Sequence, residues 1–215
     1  TAGEAVLGPI TPPMEEGLLL SEARRTPAFI LILLGLLLVG VTTNIENYLP
    51  AFWRSQGLSV SESSTMMALY AGIAGLASLI LGRISDRLGA KAYVLANFAF
   101  FIAGSIAVFY VGIIGTAPML AALVVFALGG KKNSNLMPPM VTVECFGRRD
   151  YKQIIGYFQS MLQLGIAISN PIISKLQAIN DDYKLPFYWM AALGVAALIL
   201  IQAGLRLAPY HRSNR

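Results

Sequence analysis

Cysteine and histidine are nearly missing from this 215-residue chain, which holds one of each. A lone Cys145 rules out an intramolecular disulfide and any multi-cysteine metal site, and its ordinary role is that of a small residue at a helix end. A lone His211, set in a basic tail, leaves no histidine cluster for metal binding or acid–base chemistry. No hydrolase arrangement, phosphate-binding glycine loop or cofactor motif stands out, so the expectation is a protein that is not an enzyme and holds no cofactor and no metal. Charge is scarce as well: 13% of residues are charged and 56% are hydrophobic, too apolar a balance for an ordinary soluble domain. No secretory signal is visible, because the first long apolar run begins only after about 25 residues and is itself long enough to span a bilayer.

The scarce charges are also unevenly placed. Thr26 to Ile45, Ser63 to Gly82, Ala92 to Gly130, Gln153 to Ser174 and Leu185 to Leu205 contain no Asp, Glu, Lys or Arg. Each run reaches the roughly 20 residues that a helix needs to cross about 30 Å of hydrocarbon, and the third is long enough for two crossings. Within it, Tyr110 to Pro118 carries Gly112, Gly115, Thr116 and Pro118, the composition of a turn. The expected fold class is an all-α integral membrane bundle of six transmembrane helices over residues 27–206. Residues 1–26, mixing Gly, Pro and acids, read as a tail or linker, and residues 207–215 as a basic tail.

An even number of crossings puts both termini on one side. Arg24, Arg25, Arg83, Arg87, Lys91, Arg148, Arg149, Lys152, Arg206, Arg212 and Arg215 fall in one set of loops and tails, and only Arg54, Lys175 and Lys184 in the other. The positive-inside rule assigns the first set, with both termini, to the cytoplasm, a pattern that suits a bacterial inner membrane. The sequence pI of 9.4 therefore reports topology and contact with membrane lipid; it gives no support to nucleic acid binding.

Between the second and third crossings stands Gly82-Arg83-Ile84-Ser85-Asp86-Arg87-Leu88-Gly89-Ala90-Lys91. Its glycine, Asp-Arg pair, second glycine and trailing base resemble the signature loop between the second and third helices of major facilitator superfamily transporters. The resemblance extends over about Pro27 to Arg206. Glu144-Cys145-Phe146-Gly147 closing the fourth helix, Leu164-Gly165 with Pro171 in the fifth, and Asp181, Tyr183, Pro186 and Phe187 before the sixth are similar to the family's C-terminal half, helices seven to twelve. The resemblance implies half of a fold built from two three-helix repeats, with a second six-helix half as partner: the rest of a parent chain, a separate chain or another copy. The leader would then be the end of the central loop, and an opening at Thr1 without Met suits a fragment or processed product. Ala90 stands where the family usually has another base.

The signature residues Gly82, Asp86, Arg87, Gly89 and Lys91, with Glu144 and Arg148, form an expected cytoplasmic gate. Glu144 and Arg148 lie four apart and could pair with each other or with Arg87 and Asp86. Charges that merely set topology are the plainer alternative.

Polar residues inside spans are the best pointers to a solute path, because each is costly there. Asn44, Glu46, Asn47 and Tyr48 form one group in the first helix; Lys131, Lys132, Asn133, Ser134 and Asn135 form another near the fourth. If the fourth helix runs from Pro118 to Phe146, Lys131 sits about 20 Å along it, within the membrane. If the long run divides evenly, the helix ends near Gly130 and both lysines belong to a loop. On the first reading each lysine costs roughly 2.5 to 3.5 kcal/mol, which an anionic solute or Glu46 would offset. Glu46 is then a carrier of a coupling proton, a charge partner for a lysine, or an interfacial residue near the outer surface. Gln159, Gln163 and Asn170 recur on one face of the fifth helix, as solute ligands or as interhelical glue. Lys131, Lys132, Asn135, Gln159, Gln163 and Asn44 are the expected solute-binding residues.

Two bases against one acid suggest a small organic anion, moved by alternating access between two halves. This is similar to the oxalate/formate and monocarboxylate branches, although the second helix carries no arginine that would suit a dicarboxylate. The alternative is a non-transporting membrane scaffold or assembly subunit, which lipid-facing or loop positions for both lysines would favour.

Overall fold

The computed structural model describes residues 16–114, 118–129, 136–180 and 184–208. Among these the chain is helical, with one isolated bridge between Gly17 and Gly147. A single turn, α1 (Leu20–Ala23), precedes α2 (Pro27–Thr43), a 3₁₀ segment (Asn44–Tyr48) and α3 (Leu49–Ser55), which together make the first pass. The helix α4 (Val60–Ile114) supplies two passes that meet at Gly89, whose φ of 80° and ψ of 175° are non-helical. Then come α5 (Met119–Leu128), α6 (Met137–Phe146), α7 (Tyr151–Asn180) and α8 (Leu185–Leu207).

Local sequence accounts for the boundaries. Thr26 caps α2, its hydroxyl accepting from the Phe29 N–H at 3.3 Å, and Pro27 follows at the first helical position. Ser59 and Glu62 cap α4 reciprocally: the Ser59 N–H donates to the Glu62 carboxylate at 2.8 Å, and the Glu62 N–H to the Ser59 hydroxyl at 3.2 Å. Prolines open α3, α6 and α8, where a missing N–H costs nothing.

The first pass is longer than expected. It continues past Ile45 to Ser55 and changes helix type on the way. Pro50 has no N–H for the Glu46 carbonyl and its ring would crowd that group, so a regular helix cannot run straight through. The hydroxyls of Thr42 and Thr43 both donate to the Val39 carbonyl at 2.8 Å, which bends the chain toward the 3₁₀ turns.

Pro27–Ser55, Val60–Val111 and Leu185–Leu207 are long and apolar enough to cross a membrane, and the second is long enough for two crossings. The expected span at Gln153 to Ser174 is present as α7, but its surface is divided. Ile154, Phe158, Leu162, Gly165, Ser169 and Ile173 are buried, whereas Gln153, Ser160, Gln163, Asn170 and Ser174 are exposed. The helix α6 ends at Phe146, and the residues that would join it to α5 are outside the described ones. Residues 130–135, with both lysines, and the Asp181 to Tyr183 stretch lie outside the described residues.

The passes pack side by side in the order fourth, third, sixth, first, fifth, and the second touches the first through Tyr70 and Glu46 and the fourth through Tyr70 and Phe126. Lipid is as apolar as leucine, so close packing must hold such helices together. A close crossing joins α2 to α7, as tight as the one where a Cβ on Gly129 would stand 2.2 Å from the Phe101 nitrogen. A Cβ built on Gly40 would stand 2.2 Å from the Leu162 carbonyl oxygen and 2.9 Å from the Gly165 Cα; one on Gly165 would stand 2.2 Å from the Leu37 carbonyl oxygen. The two backbones touch. Gly72, Gly75 and Gly82 meet nothing within 4 Å, because the second pass turns that face outward beside exposed Leu76, Leu79 and Ile80.

Replacing Gly40 by Leu should therefore destabilise the detergent-solubilised protein by about 3 kcal/mol, the upper range for overpacking. Gly72→Ala, in open space, should change stability by less than about 0.5 kcal/mol. Thermal unfolding of the two variants beside wild type tests the crossing; equal midpoints would contradict it.

Candidate functional site

The signature loop is built around Gly89. Its φ and ψ belong to a region that only glycine occupies without strain, so the turn between the second and third passes depends on that residue. The third pass then begins at Ala90 with unsatisfied N–H groups, as every helix does. Glu144, at the end of α6, meets that need: its carboxylate accepts from the Ala90 N–H at 2.7 Å. The negative charge also faces the positive end of the helix dipole. Gln202 of α8 closes the same region by donating to the Lys91 carbonyl at 2.9 Å.

This arrangement differs from the expected pairing. Among the described residues no ion pair joins Glu144 to Arg148, Asp86 or Arg87, and the last three side chains are exposed. An i, i+4 pair requires one continuous helix, and α6 stops at Phe146, with Gly147 at φ 79°. The chain direction reverses before Arg148. Arg148 instead engages the leader through its backbone: its N–H donates to the Glu16 carbonyl at 2.9 Å, and the Leu18 N–H donates to the Phe146 carbonyl at 2.8 Å. Gly17 and Gly147 face each other so closely that a Cβ on either would stand 2.5 to 2.7 Å from opposing backbone. The Leu20 N–H donates to the Asp150 carboxylate at 2.8 Å, and Arg24 lies 4.3 Å over the Tyr157 ring and donates to its hydroxyl. The leader is thus strapped to the turn that carries Glu144, and through Glu144 to the signature loop.

The expected solute ligands are divided. Lys131, Lys132 and Asn135 lie outside the described residues. Asn44 is buried, and its Nδ2 donates to the Ile166 carbonyl of α7 at 3.1 Å. The bend in the first pass turns it toward α7, where the glycine crossing has brought the backbones together. Gln159 is half-buried, and Gln163 and Asn170 are exposed. With Gly156, Ser160, Ala167 and Ser174 the last two form a stripe of polar and small residues along α7. At its foot, Arg148, Arg149, Asp150, Tyr151, Lys152 and Gln153 line an open pocket of about 570 Å³.

Glu46 belongs to a separate cluster deeper in the bundle. The Tyr70 hydroxyl donates to its carboxylate, and both line a small cavity with Thr42, Thr43 and Asn97. The signal for Asn97 is present in the sequence, since it is an amide in a charge-free apolar run like Asn44. Tyr70 carries no such signal, because a tyrosine 24 positions from Glu46 meets it only after the passes pack.

Removing the Glu144 carboxylate as Glu144→Ala should cost about 2 kcal/mol, the range of a hydrogen bond to a charged group. Arg148→Gln should cost less than about 0.5 kcal/mol, because an exposed arginine without an ion pair contributes little. The relative thermal midpoints check this, and comparable losses would restore the Glu144–Arg148 pair.

The all-helical membrane bundle agrees with what comparison finds. No match was found among curated proteins. The family profile described as Major Facilitator Superfamily matches residues 31–215, all six passes from near the start of α2 to the last residue of the chain. The chain belongs to the major facilitator superfamily of membrane transporters.

Proposed function

We propose that this chain is one six-helix half of a secondary transporter that moves a small organic anion by alternating access, together with a second half. The observation that carries the reading is the stripe on α7. Gln153, Ser160, Gln163, Asn170 and Ser174 are exposed on a 30-residue helix inside a membrane bundle. Facing lipid, each amide would lack a hydrogen-bond partner at a cost of several kcal/mol. Facing a water-filled cavity between two halves, each is solvated and available to a solute.

Charge supports an anion. Lys131 and Lys132 follow the apolar α5 in sequence, and the pocket at the foot of the stripe gathers Arg148, Arg149 and Lys152 around one acid, Asp150, which already accepts from the Leu20 N–H. Such a mouth raises the local concentration of an anionic solute. The concentration of bases in loops at the end that holds both termini supports a cytoplasmic position for that end, in a bacterial inner membrane. Gly89, Glu144 and the leader strap, at the same end, then form the cytoplasmic gate.

The test uses the full-length transporter in vesicles, with uptake of a labelled monocarboxylate. Gln163→Ala and at least one of Lys131→Ala and Lys132→Ala should raise KM about tenfold or more, the loss expected when a charged solute leaves its partner unpaired. Unchanged uptake in all three variants, or equal competition by a neutral sugar, would refute the anion. A chain with no uptake of any solute beside its second half would point to a scaffold.

A further inference from the structure

Two spaces at the end where Gly17 meets Gly147 adjoin each other and differ in chemistry. The open pocket of about 570 Å³ carries Arg148, Arg149 and Lys152 against one acid among its described lining residues, Asp150. That acid is already turned to the leader, accepting from the Leu20 N–H. The second space is a cleft of about 390 Å³ between the signature turn and α6, with Ser85 and Ala90 on one side and Pro139 and Met140 on the other. Val143 and Tyr151 line both. We infer that the two spaces together hold one anionic phospholipid, its headgroup phosphate on Arg148, Arg149 and Lys152 and an acyl chain along Pro139, Met140 and Val143.

The charge fits a headgroup. Three bases and one acid leave a surplus of two positive charges, and a phosphate monoester carries about 1.5 to 2 negative charges near pH 7. Arginine presents a planar fork that matches two phosphate oxygens at once, and the side chains of Arg148 and Arg149 are exposed. The pocket also meets the positive end of the α7 dipole, since that helix starts at Tyr151. The cleft accounts for the rest of the molecule. Ser85 lies one helical turn before Gly89, and Val143 one turn before the end of α6, so the cleft opens where two passes leave the hydrocarbon. Its walls offer little to water: the Ser85 hydroxyl is engaged with the Met140 sulfur at 3.5 Å, and the Glu144 carboxylate with the Ala90 N–H. An acyl chain fills such a space readily, because the walls are as apolar as the bilayer it comes from. Charge selects the lipid, and the cleft seats it. A free phosphate would satisfy the pocket and leave the cleft unfilled.

The same bases form the mouth assigned above to the solute, so a seated lipid regulates entry. Its phosphate neutralises them, which lowers the local concentration of an anionic solute and raises KM. This consequence rests on the carrier reading; the binding itself requires only the membrane.

The test titrates purified full-length transporter with dioleoyl phosphatidic acid and follows it by native mass spectrometry and by thermal midpoint. Wild type should retain one such lipid per copy of this chain and melt higher with it, and dioleoyl phosphatidylcholine should do neither. Arg148→Gln combined with Arg149→Gln should weaken the binding about twentyfold, about fivefold for each base near an anionic headgroup. Arg206→Gln, an exposed base outside the pocket, should leave it unchanged. Ser85→Phe, which fills the cleft, should weaken it as well, and its lipid-free midpoint reports whether that variant has folded. Inorganic phosphate and glycerol 3-phosphate form the free-anion arm: binding as tight as the lipid's would overturn the lipid in favour of a free phosphate. Equal loss of binding in Arg206→Gln and in the double arginine variant would reduce the site to general surface charge. No retained phosphatidic acid would mean that the second half covers the pocket; either result overturns the proposal. In vesicles, phosphatidic acid in place of part of the phosphatidylcholine should raise KM for labelled monocarboxylate severalfold in wild type and leave the double arginine variant unaltered. A wild-type KM that does not move while the lipid is bound would overturn the regulation. No uptake at all would sink the carrier reading, and the lipid titration would still decide the site.

Discussion

The contact between the Gly40 and Gly165 backbones sets the geometry around it. Two helices usually lie 8 to 10 Å apart, held off by their side chains. With none at this crossing, the first and fifth passes come within reach of each other's carbonyl groups, and short polar side chains finish the join. The Ser169 hydroxyl donates to the Val41 carbonyl at 2.6 Å, Asn44 donates to the Ile166 carbonyl, and Tyr48 and Ser174 share a hydrogen bond at 2.9 Å. Each such bond contributes about 0.6 kcal/mol in a membrane, less than the crossing itself would lose to one added side chain. The glycines therefore govern and the polar contacts follow. Because the crossing occupies one face of α7, its opposite face remains available to a cavity.

At the end where Gly17 meets Gly147, a different constraint operates. Three turns meet there, and each end of a helix leaves backbone groups that an apolar setting cannot satisfy. Glu144 satisfies one at Ala90, Asp150 another at Leu20, and the Gly17–Gly147 bridge pairs two more carbonyls. Acidic side chains in this region act on backbone N–H groups, while the surrounding arginines remain exposed. Bases thus define the outer electrostatics and acids the local structure, a division that a tally of opposite charges along the sequence would not separate.

The bundle was legible because a bilayer imposes a length on any helix that crosses it and a penalty on any charge within it. The charge-free runs ending at Ile45, Gly82, Gly130, Ser174 and Leu205 carry that imprint, and all correspond to helical passes. Gly89 and Gly147 were legible too, as glycines at turns whose conformations other residues resist. The extension of the first pass to Ser55 was less so, because Glu46 ends the charge-free run at Ile45, ten residues before the helix stops.

Sequence alone determined the membrane setting, the six passes, the signature turn and the family, all consequences of composition and of spacing along one chain. Tertiary structure alone decided which partner each polar group meets. It set Glu144 on the Ala90 N–H, Asn44 on the Ile166 carbonyl, and Glu46 beside Tyr70 in a cavity shared with Asn97. The physical reason is distance: hydrogen bonds act over about 3 Å, and residues 24 to 122 positions apart reach that range only after the passes have packed.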